Sequence, residues 1–472
     1  MSATIEHVVV LMLENRSFDC MLGSLYPACP NFRGLTLTES NSYDMTYAVW
    51  NDKTLTDADA CIPDPDPGEA FTDMNMQLYG TTDRPPGNPA PSMSGFAMNY
   101  GSLPANEGWR DAGAVMHYFT PEQLPVLTTL AKAFGVCDAW HASAPCQTWP
   151  NRFFAHTGTS LGYVDNNTFR IPFEAPSLFR RLQDQQKTWR VYFHDMPQSI
   201  LLRDVWLYAL SHYRLFSQFL ADAHTGSLPN YSFIEPRYFT ELANNLVASD
   251  QHPPHNVLYG EQLIAQVYNA LRGSPCWNKT LFVITYDEHG GCYDHMPPPQ
   301  AVCPDASDTS KNNKYAFDFT AYGVRVPAVV VSPYVKAGSV IRPPGDTPFD
   351  HTSLIATVRE IFDLGPALTA RDAVAPSLVC ALNLPGPTNS GPESVTAALD
   401  APSPSLLVTR GDAAPNGMQA SLTAAATLLP ETPPATSSDV PPPSTIPANT
   451  YPTVATAQNN ATARTNGFLG IT

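Results

Sequence analysis

Positive charge is scarce in this chain. Only 26 Lys and Arg stand against 43 Asp and Glu, a net charge of −17 at pH 7. Nucleic acid is therefore a poor partner, because phosphate backbones are bound through Lys and Arg. A strongly anionic membrane is disfavoured for the same reason, so lipid contact is expected to be transient. An anionic substrate would need a local cation, which a bound metal can supply. Long apolar runs are missing too: none approaches the roughly 20 residues that a transmembrane helix requires. No basic leader opens MSATIEHVVVLML, which runs straight into ENRSFD. The expectation is a cytoplasmic protein, or one exported without a visible leader. The nine cysteines form no CxxC pair and no zinc-finger spacing, and their odd number leaves at least one free thiol in a monomer. What is present, 472 residues with 43% hydrophobic content and a mean hydropathy of −0.17, describes a globular protein with room for a large core.

The apolar runs that do occur are short. His7 to Leu13 (HVVVLML) and Leu281 to Thr285 have strand length and no polar interruption, as central parallel strands do. Trp189 to Phe193, Tyr231 to Ile234 and Val326 to Ser332 read the same way. Helical signals stand between them. Thr120-Pro121-Glu122 predicts a helix running to Phe134, Pro150 suits the first turn of another, and Val257 to Leu271 has an amphipathic pattern. Strands alternating with helices predict an α/β sandwich with a mostly parallel central sheet and helices on both faces.

Two of the strands run out into acids. Leu13 is followed by Glu14 and Asn15, and Thr285 by Tyr286-Asp287-Glu288-His289-Gly290-Gly291, then Asp294 and His295. Open α/β sheets carry their chemistry at the C-terminal edge of the strands. Carboxylate and amide oxygens suit a hard or borderline divalent cation. The plainer reading is a pair of capped strand ends with solvated charges. Thr148, ahead of Pro150, offers a hydroxyl beside the positive end of a helix, either as a simple cap or as a nucleophile. Arg152 could add a charged fork for phosphate oxygens. Asp250, His252 and His255 stand in a Pro-stiffened loop, as ligands, proton donors or surface groups. His351 opens a helix-like stretch. If the two acid-ended strands are neighbours, Glu14, Asn15, Asp287 and Glu288 converge beside Thr148. A metal touching that hydroxyl would lower its pKa and make it a nucleophile. His252, His295 or His351 could then protonate a leaving group or hold phosphoryl oxygens, and water would hydrolyse the phosphothreonine in a second step.

Residues 38–110 read as long irregular loops over the site, with Glu69 and Ser94-Gly95-Phe96 at a pocket mouth. The aromatics Phe71, Tyr79, Phe96, Tyr100, Trp109 and Tyr118 would suit either a lipid surface or a loop core. Residues 385–472 are rich in Pro, Ala, Thr and Ser and read as an extension, extended or mobile apart from one helix over Pro415 to Leu429.

Several motifs carry a resemblance. ENRSFD at 14–19, MSGF at 93–96, TWPNRFF at 148–154, HTGTS at 156–160, the DxHP of 250–253, YDEHGGCYDH at 286–295, GVRVP at 323–327 and DHTS at 350–353 resemble the phosphoesterase family. That family includes bacterial phosphatidylcholine-type phospholipases C, plant non-specific phospholipases C and related acid phosphatases. The resemblance runs from about residue 5 to 380 and implies an alkaline-phosphatase-like core within a catalytic region of residues 1–384. It implies a divalent cation held by Glu14, Asn15, Thr148, Asp287 and Glu288, with Thr148 as nucleophile. His252, His351 and His295 fall in its active-site motifs. Phospholipid or a small phosphate ester is the implied substrate, with phospholipase C ahead of acid phosphatase; a non-catalytic metal-containing binding protein is the distant alternative. In one respect the chain departs from the pattern: related sequences often place a histidine where Glu69 stands.

Overall fold

The computed structural model describes residues 5–471, except 54, 57–58, 88, 105–110, 306–311, 398 and 400–403. Trp109 lies outside the described residues. Eight strands form the central sheet: β1 (His7–Leu13), β2 (Gly135–Cys137), β3 (Trp189–Phe193), β4 (Tyr213–Leu215), β5 (Tyr231–Ile234), β6 (Thr280–Tyr286), β7 (Ala328–Val331) and β8 (Ser339–Ile341). Their order is β8-β2-β7-β6-β1-β5-β3-β4. All neighbours run parallel except β7, which is antiparallel to both β6 and β2. This is the mixed, mostly parallel α/β sheet that the alternation of elements predicts.

β1 sits at the centre, and every residue after His7 is buried. A strand covered on both faces needs an unbroken apolar run rather than an alternating one, which explains the sequence HVVVLML. β6 is likewise buried along its whole length. The two pair in register from His7 opposite Thr280 to Leu13 opposite Tyr286. The residues that follow, Glu14 and Asp287, therefore leave the sheet side by side.

The helices that position the site are α1 (Phe71–Tyr79), α2 (Phe96–Ser102), α3 (Pro125–Ala133), α4 (Thr148–Thr157), α5 (Val257–Arg272), α6 (Thr352–Phe362), α7 (Pro404–Asp412), α8 (Gly417–Ala426) and α9 (Val454–Leu469). Three expectations change. First, α3 starts at Pro125 rather than behind Thr120, because the buried carboxylate of Glu261, on α5, accepts the N–H groups of Val126 (2.6 Å) and Leu127 (2.9 Å). Second, residues 38–110 are not merely loops. They hold α1 and α2; of the two readings of the aromatics, Phe71, Phe96 and Tyr100 take the loop-core one, buried in small cores. Third, the C-terminal stretch carries three helices, α7, α8 and α9, where one was expected, and it packs onto the core. Met418, Leu422, Val454, Ala457, Ala461 and Phe468 join the main core. The buried groups of α9 recur at helical spacing, but Gln458, Thr465 and two alanines stand among them, so composition hides the stripe. Cys20, Cys29, Cys137, Cys146, Cys276, Cys292 and Cys380 are free thiols.

Candidate active site

Glu14 emerges from β1 with no solvent exposure. Its Oε1 accepts from Arg152 Nη2 (2.7 Å) and from Gln198 Nε2 (2.7 Å), leaving Oε2 to accept from Thr148 Oγ1 at 3.2 Å. Thr148 is the first residue of α4, and Gln147 is the cap residue; the hydroxyl is therefore free of capping duty. Arg152, one turn further along α4, donates through Nε to Asp287 Oδ2 (3.1 Å) and lies 3.8 Å from Glu235. The guanidinium expected to grip phosphate instead clamps the carboxylates of two neighbouring strands. Burial pushes Asp287 well above the usual carboxylate range, and Glu14 adds to the push while Arg152 opposes it.

Asn15 links a second group of residues. Its Nδ2 donates to Glu69 Oε1 (2.6 Å) and Glu288 Oε1 (2.9 Å). Two acceptors around one nitrogen fix the amide orientation, so Oδ1 is the remaining atom, buried and without a partner. Close approach depends on Gly290, at φ +59°, where a Cβ would lie 2.2 Å from Asn15 O and 2.9 Å from Asn15 Oδ1. Any side chain there would displace the Asn15 loop. Glu69 also lies 3.3 Å from His252 Nε2, and Asp66 lies 3.6 Å from His252 Nδ1. Burial pushes the Glu69 carboxyl up to about 8, against the pull of His252 and with the help of Asp66 and Glu288. For His252, burial works against the charge, yet Glu69 and Asp66 outweigh it and hold the imidazole well above its usual range.

Excess negative charge, hard oxygen donors and an orphaned amide oxygen fit a divalent cation. Asp66, Glu69 and His252 are also close enough to share an ion.

The other predicted histidines lie elsewhere or are engaged. His351 accepts at Nδ1 from Trp140 Nε1 (3.3 Å), so Nε2 carries the proton and donates to Asp287 O (2.5 Å). Burial holds it down to about 4. Both nitrogens are occupied, and the ring buttresses the Asp287 backbone rather than offering a proton. His295 belongs to a different cluster, bonded to Asp19 Oδ2 (2.6 Å) beside Arg325, which also binds Asp294 (3.0 Å). The structure does not bring it to Thr148. Asp250 pairs with His255 (2.6 Å) instead of joining the acids. His289 packs behind the glycines, bonded to Gln77 (2.7 Å).

Sequence reasoning missed Glu235, Gln198 and Asp66. Glu235 carried a usable signal, since it follows the apolar run YSFI as Glu14 follows β1. It is fully buried and accepts from Gln198 N, Ser199 N and Tyr238 Oη.

The sequence profile of the phosphoesterase family matches residues 5–365. The chain belongs to the phosphoesterase family. It is a phosphoric ester hydrolase. Non-specific phospholipase C3 of Arabidopsis thaliana is 36% identical over 402 residues, covering 83% of this chain and 76% of that protein. Non-specific phospholipase C1 of the same plant is 38% identical over 382 residues, covering 79% and 69%. Among solved structures, a protein in the alkaline phosphatase superfamily from Vibrio parahaemolyticus aligns with a TM-score of 0.34 and 10% identity, over 80% of this chain and 70% of that one. That likeness is too slight to carry an argument, and the fold assignment rests on the sheet itself. The phosphoesterase profile ends before α7, α8 and α9, which lie outside it. No helix among the described residues is long and apolar enough to cross a membrane.

Proposed function

We propose that this phosphoesterase is a metal-dependent phospholipase C that works through a phosphothreonine at Thr148. The observation that carries the reading is the Thr148 hydroxyl, buried at the start of α4 and donating to Glu14 Oε2 at 3.2 Å. Glu14 Oε2, Asn15 Oδ1, Asp287 and Glu288 would hold the cation together with Thr148. Bound there, it would acidify the hydroxyl and offset charge on the phosphoryl oxygens.

The protein's own groups do the rest. Arg152 and Gln198 occupy Glu14 Oε1, so Oε2 is the oxygen that faces and orients the Thr148 hydroxyl, whose proton is lost to water as the nucleophile forms. As the Thr148 Oγ–P bond forms, the P–O bond to the leaving alcohol breaks. His252 protonates that oxygen from Nε2, the nitrogen turned into the site. Water then attacks phosphorus and gives a proton to the deprotonated His252 Nε2, the Oγ–P bond breaks, and Thr148 Oγ takes a proton back from water. His351 keeps the Asp287 backbone in place throughout.

Lipid is the favoured substrate because the plant relatives are named as phospholipases C. A small phosphomonoester is the second reading. It is favoured by the burial of Phe71, Phe96 and Tyr100, which puts these rings in the loop core, one of the two places their sequence allowed, and not on a lipid-facing surface. Assays of phosphatidylcholine and p-nitrophenyl phosphate in parallel, before and after chelation, separate the two. Hydrolysis of the small ester alone would sink the lipid reading, and unchanged turnover after complete metal removal would sink metal dependence. Thr148→Ala is expected to cut kcat at least 10³-fold, in the range seen when an essential catalytic group is lost. The lost hydrogen bond should cost only about 1 kcal/mol of stability. An active Thr148→Ala enzyme would remove Thr148 from the mechanism.

A further inference from the structure

Two thiols meet between the loops that carry the candidate cation ligands. Cys20 stands in the short helix Phe18–Leu22, just after Glu14 and Asn15, and Cys292 follows Glu288 and the two glycines. The loops are tied together beside them: Ser17 Oγ donates to Tyr293 O at 2.6 Å, and Asp19 N donates to Asp294 Oδ2 at 3.3 Å. Both thiols are free and buried in the main core, 2% and 1% exposed. The Cys292 S–H donates to Cys20 Sγ. That hydrogen bond, helped by the Arg16 guanidinium, holds Cys20 below the usual thiol range against burial. Burial and the same bond hold Cys292 well above it. One sulfur is thus prepared as a nucleophile while the other carries the proton.

We propose that Cys20 and Cys292 are an oxidation site that closes to a disulfide with a small peroxide and thereby switches hydrolysis off. Cys20 Sγ attacks a peroxide oxygen, the O–O bond breaks, and water leaves with the Cys20 proton, giving a sulfenic acid. Cys292 Sγ then attacks Cys20 Sγ. The S–S bond forms, the S–O bond breaks, and the hydroxyl departs with the Cys292 proton as a second water. Two electrons pass from the sulfurs to the peroxide, which is reduced to two waters. A covalent bond holds two sulfurs closer than a hydrogen bond does, so closure draws the two loops together. The loop after β6 has no slack for this, because a Cβ on Gly290 would already lie 2.2 Å from Asn15 O. Asn15 and Glu288 therefore shift with the sulfurs. The loss of activity rests on the reading of these two residues as cation ligands.

The test treats the reduced, full-length protein with a slight excess of hydrogen peroxide. Peptide mapping, with fragmentation that tells Cys20 from Cys29 and Cys292 from Cys303, should show a Cys20–Cys292 disulfide in most molecules. kcat should fall at least tenfold and return to within twofold of its starting value on adding dithiothreitol, which does not reverse methionine oxidation. Cys20→Ser should keep kcat within twofold of the parent when reduced and hold it through the same treatment; Cys20→Ala serves if the serine variant does not fold. The proposal is overturned if Cys20 and Cys292 stay unlinked while the exposed Cys29 and Cys380 oxidise. A Cys20–Cys292 disulfide that leaves kcat unchanged overturns it too, as does an equal loss of kcat in parent and Cys20 variants. If the parent hydrolyses neither substrate, the functional reading fails, and the peptide map alone decides whether the two thiols are an oxidation site.

Discussion

Five histidines, four of them buried and His194 half-buried, sit where desolvation keeps them neutral. His117, His156 and His194 are held down to about 3, and His141 and His351 to about 4. His156 is the simplest to test. Burial dominates, Arg152 adds to it, the ring lies between Phe179 and Phe233, and Nδ1 has no partner. Above pH 6.5 it is neutral both folded and unfolded. As pH falls through 6.5 toward 3, the unfolded chain takes up a proton that the folded one refuses. Stability is then lost at about 1.4 kcal/mol per pH unit. His156→Phe keeps the aromatic packing and removes that loss. Its stability relative to the parent should improve by about 2 kcal/mol between pH 7.5 and pH 5. Urea midpoints that differ by the same amount at both pH values would show that His156 takes no part in acid sensitivity. At this scale the proximity of Glu14, Thr148 and Asp287 was legible, because each follows a recognisable strand or opens a helix. The fates of His295 and His351 were not. Their partners, Asp19 and Trp140, are far away in sequence, and nothing local distinguishes a histidine with a free nitrogen from one with none.

Between residue and molecule, the start of α3 makes a sharper test of how helices are terminated. Two buried N–H groups there depend on a carboxylate from α5, 135 and 134 residues away. Glu261→Ala would orphan both, and a loss of about 2–4 kcal/mol is expected in urea denaturation. A loss below about 0.5 kcal/mol would mean that water or a shifted turn supplies the cap. The same contact explains why Thr120-Pro121-Glu122 misled: a sound local start signal lost to a tertiary one. α5, by contrast, carries its own cap in Asn256, whose side chain accepts from Leu258 N at 2.8 Å, and it begins where its pattern says. β1 and β6 were readable because burial on both faces demands continuous apolar runs. Nothing in a strand's composition declares its direction, so the antiparallel course of β7 could not be read. α1 and α2 escaped notice for want of length. Nine and seven residues between Pro- and Gly-rich turns give periodicity little room to appear.

For the whole molecule, the C-terminal helices decide how much of the chain is one cooperative body. Phe468, near the end of α9, is fully buried and meets Trp206 edge-on at 5.5 Å. Phe468→Ala is expected to cost about 3–5 kcal/mol, as for other buried aromatics. It should lower a single unfolding transition; a separate early transition that leaves the remainder unchanged would show that the helices unfold on their own. The position of β1 has a consequence for how the protein is made. It leaves the ribosome before any other strand of the sheet, and its partners β5 and β6 begin at residues 231 and 280. At roughly 5–20 residues per second, six consecutive apolar residues remain without β-partners for tens of seconds. Synthesis should therefore be the protein's most aggregation-prone moment, and holdase chaperones should bind nascent chains that stop short of Tyr286 far more than chains that include α9.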